Sequence, residues 1–93
     1  METLGNEQIA AALEDLPGWA IGDGEIFKEF KFKNFVEAIA FINRIVEPAE
    51  AANHHPDLEN HYNRVRVALH SWDAAGITDR DVALAAEIEG VAT

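Results

Sequence analysis

The chain has 93 residues and no cysteine, and 17 acidic side chains against seven basic ones give it a formal net charge of -10. This length suits one domain, predicted over residues 1–93, and the lack of cysteine rules out a disulfide framework and fits a reducing compartment. The acidic balance disfavours nucleic acid and anionic membranes, which are bound through basic surface, and leaves a neutral small molecule as the easiest ligand.

The location and assembly state follow from similar arguments. The first residues show no basic region followed by a long apolar run, and no stretch approaches the roughly 18 apolar residues of a membrane span, so we expect a soluble cytoplasmic protein. A chain this short buries only about 60% of its unfolded surface. We therefore expect a homodimer or homotetramer, in which self-association buries more apolar surface.

The first third of the chain predicts a helix followed by a β-hairpin. Asn6 is a candidate N-cap, and Pro17 ends the helix. Four apolar residues at helical spacing predict its buried face: Ile9, Ala12, Leu13 and Leu16. A short strand at 19–21, in which Trp19 anchors the core, pairs through a Gly-Asp-Gly turn with an alternating strand at 25–33.

A second helix begins after Asn34, which is its predicted cap. Its apolar residues cover more than one stripe, as in a helix that is central to the core or part of an interface. They are Phe35, Val36, Ala38, Ile39, Phe41, Ile42, Ile45 and Val46. Pro48 is expected to kink the helix or to begin a new turn, and the helix cannot easily pass His55, because a residue before proline is pushed out of the α region.

The last third predicts two more strands and a helix. An extended segment after Pro56 turns at Asn63-Arg64 into a strand, and a final helix begins at Thr78. In the strand, Val65, Val67 and Leu69 face one way, whereas Arg66, Ala68, His70 and Trp72 face the other. The order α-β-β-α-β-β-α predicts an α+β, two-layer fold with a four-stranded antiparallel sheet and helices packed on one face.

Three of the four histidines lie in the stretch EAANHHPDLENHY, residues 50–62. Glu50 and His54 are four residues apart near a helix end, which predicts that they share one face. The helix dipole and Glu50 favour an imidazolium at His54, and a charged His55 opposes it, which suits an acid/base group near neutral pH. The two rings are expected to point to different sides of one small space.

Four interpretations of this stretch remain open from the residues alone. The simplest is a Glu50–His54 helical pair followed by a helix stop. A metal site would use His54, His55, His61 and Glu50, but adjacent histidines converge poorly on one ion, and no HExxH or cysteine pair supports them, so we predict no metal. The others are metal-free acid/base catalysis and a protein-binding module with incidental histidines.

A resemblance favours catalysis. The pattern E-x3-HHP-x5-Y at 50–62, followed by WDAAGITDRD at 72–81, resembles the pterin-4a-carbinolamine dehydratase family, also known as the dimerisation cofactor of a homeodomain transcription factor. The likeness extends from LPGW at 16–19 through FKF at 30–32 to the final helix. It implies the fold predicted above and a hydro-lyase, 4a-hydroxytetrahydrobiopterin dehydratase, which acts in tetrahydropterin recycling without metal or cofactor.

The resemblance also implies roles for individual residues. His54 matches the motif histidine that acts as acid/base, His55 matches the one that contacts substrate and assists, and Glu50 matches the acidic position that supports the pocket. Asp81 matches a motif aspartate at the substrate site. Yet Thr78 and Asp81 also form a capping box, and the two roles are compatible.

Two positions depart from the animal enzymes. Trp72 stands where they carry a third histidine; it cannot exchange protons near neutral pH, but it can stack on a pterin or donate one hydrogen bond. His70, two residues earlier on the same strand face, either compensates or is a surface histidine. Leu58 replaces a tryptophan near the pocket. The alternative function is a non-catalytic dimeric scaffold that binds a protein partner, while His61 is expected to face solvent and Tyr62 to pack on its strand.

Overall fold

The structure is a computed structural model that describes residues 2–92. Its elements are α1 (Asn6–Leu13), β1 (Ala20–Gly22), β2 (Glu25–Lys31), α2 (Phe35–Ala52), β3 (Asp57–His61), β4 (Arg64–Leu69) and α3 (Asp79–Val91). The four strands form one antiparallel sheet in the order β1-β2-β4-β3. The predicted α+β fold and element order are confirmed.

Alternation along β4 divides the sheet into a core face and an open face. Val65, Val67 and Leu69 are fully buried and belong to one apolar cluster with residues of all three helices. The opposite face carries polar side chains, with Arg66 of β4 paired in register with Glu29 of β2 and Glu59 of β3. Helices therefore cover one face only, as the period-2 pattern predicts.

The first helix begins one residue earlier than the sequence suggested. The N-cap is Gly5 and not Asn6, because the Gly5 amide donates to Oε1 of Gln8 at 2.8 Å and Asn6 already lies within the helix. Beyond the helix, Gly18 adopts a positive φ of 87°, which lets the chain turn into β1. Trp19 is buried as expected, and its Nε1 donates to Oε1 of Glu89 at 2.8 Å.

The second helix runs without interruption past its proline. Asn34 is its cap, as predicted, and its Oδ1 accepts from the Glu37 amide at 2.9 Å. Pro48 does not begin a new turn, since the helix continues to Ala52. No helix among residues 2–92 is long and apolar enough to cross a membrane.

The turn between β3 and β4 differs from the prediction. It consists of Tyr62 and Asn63, and Arg64 already pairs with His61 in the sheet. Tyr62 has a φ of 54° and is 66% exposed, so the expected packing of this ring on its strand was wrong. The predicted cap of α3 is confirmed, because Thr78 and Asp81 form the capping box.

Candidate active site

The end of α2 separates the two adjacent histidines. Asn53 adopts the left-handed conformation (φ 49°, ψ 44°), the His54 amide donates to the Ala49 carbonyl at 3.1 Å, and the Asn53 amide donates to the Glu50 carbonyl at 3.1 Å. These two bonds have the pattern of a Schellman motif, in which a left-handed residue reverses the chain after the last helical turn. His54 therefore lies beyond the helix.

This geometry corrects the predicted Glu50–His54 pair. The i, i+4 rule holds only while the helix continues, and the left-handed residue Asn53 breaks it. Glu50 instead contacts His55, whose Nε2 lies 2.5 Å from Glu50 Oε2. Both side chains are more than half exposed, so this pair contributes little to stability.

His54 points into the protein and contacts Asp81, 27 residues further along the chain. Its Nε2 lies 2.6 Å from Asp81 Oδ1. The histidine is 7% exposed and the aspartate is fully buried. The two rings of the histidine pair thus have separate carboxylates: His54 has a buried one from α3 and His55 an exposed one from α2.

Asp81 is surrounded by donors. Its Oδ2 accepts from the Ser71 hydroxyl at 2.8 Å and from the Thr78 amide at 2.9 Å, while the Ser71 and Thr78 hydroxyls are 2.8 Å apart. A buried carboxylate is stable only when such bonds replace its hydration. Because Oδ2 receives two donors and Oδ1 faces the ring, Nε2 of His54 carries a proton and donates it. In the neutral ring the lone pair then lies on Nδ1.

Ser71 is a site residue that the sequence analysis missed. It is fully buried two residues after the end of β4. Its position continues the inward alternation of Val65, Val67 and Leu69. A small polar residue at the next inward position was the available signal for a buried hydrogen bond.

The end of β4 presents two rings on the opposite side. Trp72 is 81% exposed, and its ring centroid lies 4.7 Å from that of His70. The His70 side chain is 22% exposed, and its Nδ1 lies 4.0 Å from Asp57 Oδ2. The exposed indole is available for stacking, whereas its predicted contact with substrate stays a prediction.

The metal ligand set considered from sequence does not assemble, because Nε2 of His54 and of His55 face different carboxylates and His61 is 72% exposed. Within residues 2–92, a different group of potential ligand atoms lies within 4.8 Å of one another, from Glu25, Asp57 and His70. Glu25 already forms an ion pair with Arg66, whose Nη2 lies 2.9 Å from Glu25 Oε2. We therefore describe the group as an ion-pair network.

The loop after Trp72 is held by a surface ion pair. Arg80 Nη2 donates to Asp73 Oδ1, and this hydrogen bond lowers the pKa of the Asp73 carboxyl below its ordinary value of 3.8. Arg80 Nε is buried and has no hydrogen-bond partner. The pair connects the loop to the first turn of α3, next to Asp81.

A groove of the described residues lies elsewhere. It has a volume of about 720 Å³ between α2 and α3, with Arg44, Pro48 and Ala83 among its lining residues. None of the histidines lines it. The groove is therefore a separate feature, and the candidate site is defined by the polar contacts of His54 and His55.

The chain is similar to known proteins over nearly its whole length. A family model described as pterin 4 alpha carbinolamine dehydratase matches residues 2–91. Two proteins provisionally named pterin-4-alpha-carbinolamine dehydratase are similar: one from Picosynechococcus sp. is 52% identical over 88% of this chain and 89% of its own. The other, from Thermomicrobium roseum, is 44% identical over the full length of both chains.

Solved structures show the same fold. The crystal structure of a transcriptional coactivator/pterin dehydratase from Brucella melitensis superposes with a TM-score of 0.94 at 34% identity, over 99% of this chain and 100% of that one. A pterin dehydratase-like protein, described as a RuBisCO assembly factor in the alpha-carboxysome, has a TM-score of 0.68 over 81% of this chain and 89% of that one. At 22% identity, the second likeness concerns the fold alone.

Proposed function

Because the chain belongs to the pterin 4 alpha carbinolamine dehydratase family, we propose that it is a 4a-hydroxytetrahydrobiopterin dehydratase that acts in tetrahydropterin recycling. The observation that carries the proposal is the buried contact between His54 and Asp81, with His55 and Glu50 beside it. A buried, carboxylate-bound imidazole next to a partly exposed one is a suitable arrangement for moving two protons.

The reaction breaks the bond between carbon 4a and its hydroxyl, and removes the proton from N5. The hydroxyl leaves as water after it receives a proton, and the electron pair of the N5–H bond forms the C4a–N5 double bond of quinonoid dihydropterin. Water is the only other product of the reaction. The protein therefore has to supply one base and one acid, and histidine exchanges protons near neutral pH.

Within this proposal His54 is the base. Asp81 accepts its Nε2 proton and thereby fixes the tautomer whose Nδ1 lone pair is free. Asp81 is fully buried and both its oxygens are occupied, which supports a positioning role over the substrate contact predicted from sequence. His55 contacts the pterin and assists, Glu50 holds the His55 ring, and Trp72 offers a stacking surface.

The proposal extends to a self-associating, cytoplasmic enzyme. Phe35, Val36 and Val46 expose large apolar side chains on α2. Exposed apolar groups on one helix are typical of an interaction surface. The lack of cysteine agrees with a reducing compartment.

The same exposed residues favour a second candidate function, a non-catalytic scaffold that binds a protein partner through α2. The two functions predict different mutational sensitivities. An enzyme loses activity when His54 or His55 changes and keeps its assembly state. A scaffold tolerates those changes and loses its partner when Val36 or Val46 becomes charged.

The test is the decay of freshly generated 4a-hydroxytetrahydropterin with and without the protein, in the presence of a chelator and with the spontaneous rate subtracted. We expect acceleration by the wild type and a loss of at least ~10²-fold in His54→Ala and His54→Gln. His61→Ala, at an exposed histidine, is the matched control and should keep the wild-type rate. Folded wild-type protein that gives no acceleration would contradict the dehydratase and favour the scaffold.

A further inference from the structure

The register of the sheet places His70 near Asp57, the first residue of β3, which follows the histidine pair in the chain. In the β3–β4 ladder Asp57 pairs with Ala68. His55 stands two residues before Asp57, and His70 stands two residues after Ala68. The chain before Asp57 and the chain after Ala68 therefore leave the same end of the sheet, and the alternation of β4 puts His70 on the face opposite Ser71.

Three groups lie around the His70 ring. The Trp72 ring packs against it at 4.7 Å between centroids and an angle of 59°. Asp57 Oδ2 lies 4.0 Å from Nδ1, and a Glu25 carboxylate oxygen is within 4.8 Å. Arg66 is connected to this network through its hydrogen bond to Glu25. The ring thus packs against Trp72, has two carboxylates nearby and is still partly open to solvent.

From this geometry we propose that His70 is a further catalytic residue, which donates the proton to the departing hydroxyl while His54 takes the proton from N5. The inference rests on the proposed dehydratase activity. The His70 imidazolium becomes neutral as the C4a–O bond breaks and water forms, and His54 becomes protonated, so that exchange with solvent restores both groups.

The Trp72 ring connects this assignment to the substrate. It is exposed and in contact with His70, so a flat pterin stacked on the indole would lie against the imidazole as well. His55, which precedes β3 at the same end of the sheet, retains the proposed role of contacting the pterin. His70 is then the acid on the side of Trp72, and the buried His54 is the base.

The first experiment compares His70→Ala and His70→Gln with the matched control His61→Ala, which removes an exposed histidine of the same sheet. We expect kcat to fall at least ~10²-fold in both His70 variants, with the alkaline limb of the kcat–pH profile lost, because a general acid must be protonated to act. The control keeps the wild-type profile. Folded His70 variants with wild-type kcat and an unchanged alkaline limb would overturn the assignment.

A rescue separates catalysis from structure. Adding Trp72→His to His70→Ala places an imidazole on the neighbouring position of the same face, and we expect at least a tenfold recovery of kcat. If the double variant is folded and no more active than His70→Ala, the proposed acid position is wrong.

A readout that does not need turnover distinguishes this proposal from the underlying function. Binding of 7,8-dihydrobiopterin, followed by the ring NMR signals of His70, should shift those signals in the wild type and in His54→Gln. Binding that leaves them unmoved overturns the role of His70 alone. An inactive wild type, by contrast, overturns the dehydratase itself.

Discussion

Asp81→Asn is the substitution that tests the buried network most directly. Two donors point at Oδ2, from the Ser71 hydroxyl and the Thr78 amide, so the single oxygen of the asparagine amide is expected to stay there. Its NH₂ group then faces Nε2 of His54, where the carboxylate oxygen was 2.6 Å away. Two N–H groups cannot bond each other, and His54 must move its proton to Nδ1. The nitrogen proposed as the base is then blocked.

The expected size of the effect follows from the bonds involved. The variant exchanges a hydrogen bond to a charged group, which contributes ~1.5–3 kcal/mol to the free energy of unfolding, for a neutral one, which contributes ~0.5–1.5 kcal/mol. The expected loss is therefore ~1–1.5 kcal/mol, which for a domain of this size corresponds to a drop in Tm of roughly 4–12 °C. Loss of the base should lower kcat at least ~10²-fold, since that is the usual contribution of general acid–base catalysis.

The assay measures kcat well below the lowered Tm, together with the ¹⁵N shifts of the His54 ring, which report its tautomer. Asp79→Asn is the matched control, because it makes the same change in charge at an exposed position in the first turn of α3. Its loss of a favourable dipole interaction costs only ~0.3–1 kcal/mol, with kcat unchanged. A folded Asp81→Asn enzyme that turns over at the wild-type rate with Nε2 still protonated would refute the assignment of the His54 tautomer.

Two further expectations concern the loop after β4. Trp72→Ala should raise KM roughly 2- to 12-fold, the equivalent of ~0.5–1.5 kcal/mol of aromatic stacking. Tm should stay nearly unchanged because the indole is exposed. Steady-state kinetics that show an unchanged KM would exclude stacking on this ring. Since the hydrogen bond from Arg80 lowers the pKa of Asp73 below 3.8, the pair stabilises the fold above that pH and loses its effect as the pH falls below it. Thermal melts of Asp73→Asn and wild type should therefore differ at neutral pH and converge in acid, and a gap that widens in acid would contradict the sign.

The fold was predictable because its determinants are local and periodic. Val65, Val67 and Leu69 alternate with polar residues, and Asn34 and Thr78 mark the starts of α2 and α3 with side chains that the structure uses as caps. Each of these signals needs only a few neighbouring residues. The start of α1, with its cap at Gly5, and the turn at Tyr62 each lie one residue from the predicted position. At this scale the capping residue or a residue with positive φ decides where an element ends, and helix or strand propensity does not.

The roles of the candidate site residues stay predictions, but the structure does show that their contacts differ from those predicted. Spacing suggested that Glu50 meets His54, which requires the helix to continue, and a single left-handed residue at Asn53 changed the partner. The actual partner, Asp81, is 27 residues away and comes close to His54 only through packing of α3. Sequence spacing carries no information on such a contact. The capping box predicted the bond that one oxygen of Asp81 makes at the start of α3, but it did not predict that the other oxygen contacts His54.

Asp81 couples folding to the proposed chemistry, and this decides how His54 should be tested. One carboxylate oxygen caps α3 and binds Ser71, while the other holds the base. His54→Ala leaves Oδ1 buried without a donor, and an unsatisfied buried charge is strongly destabilising. A lost rate in that variant could thus come from unfolding. The Nε2 amide of His54→Gln can reach a similar position and donate to Oδ1, but glutamine exchanges no proton near neutral pH. If His54→Gln keeps the wild-type Tm and loses activity, the loss belongs to the imidazole.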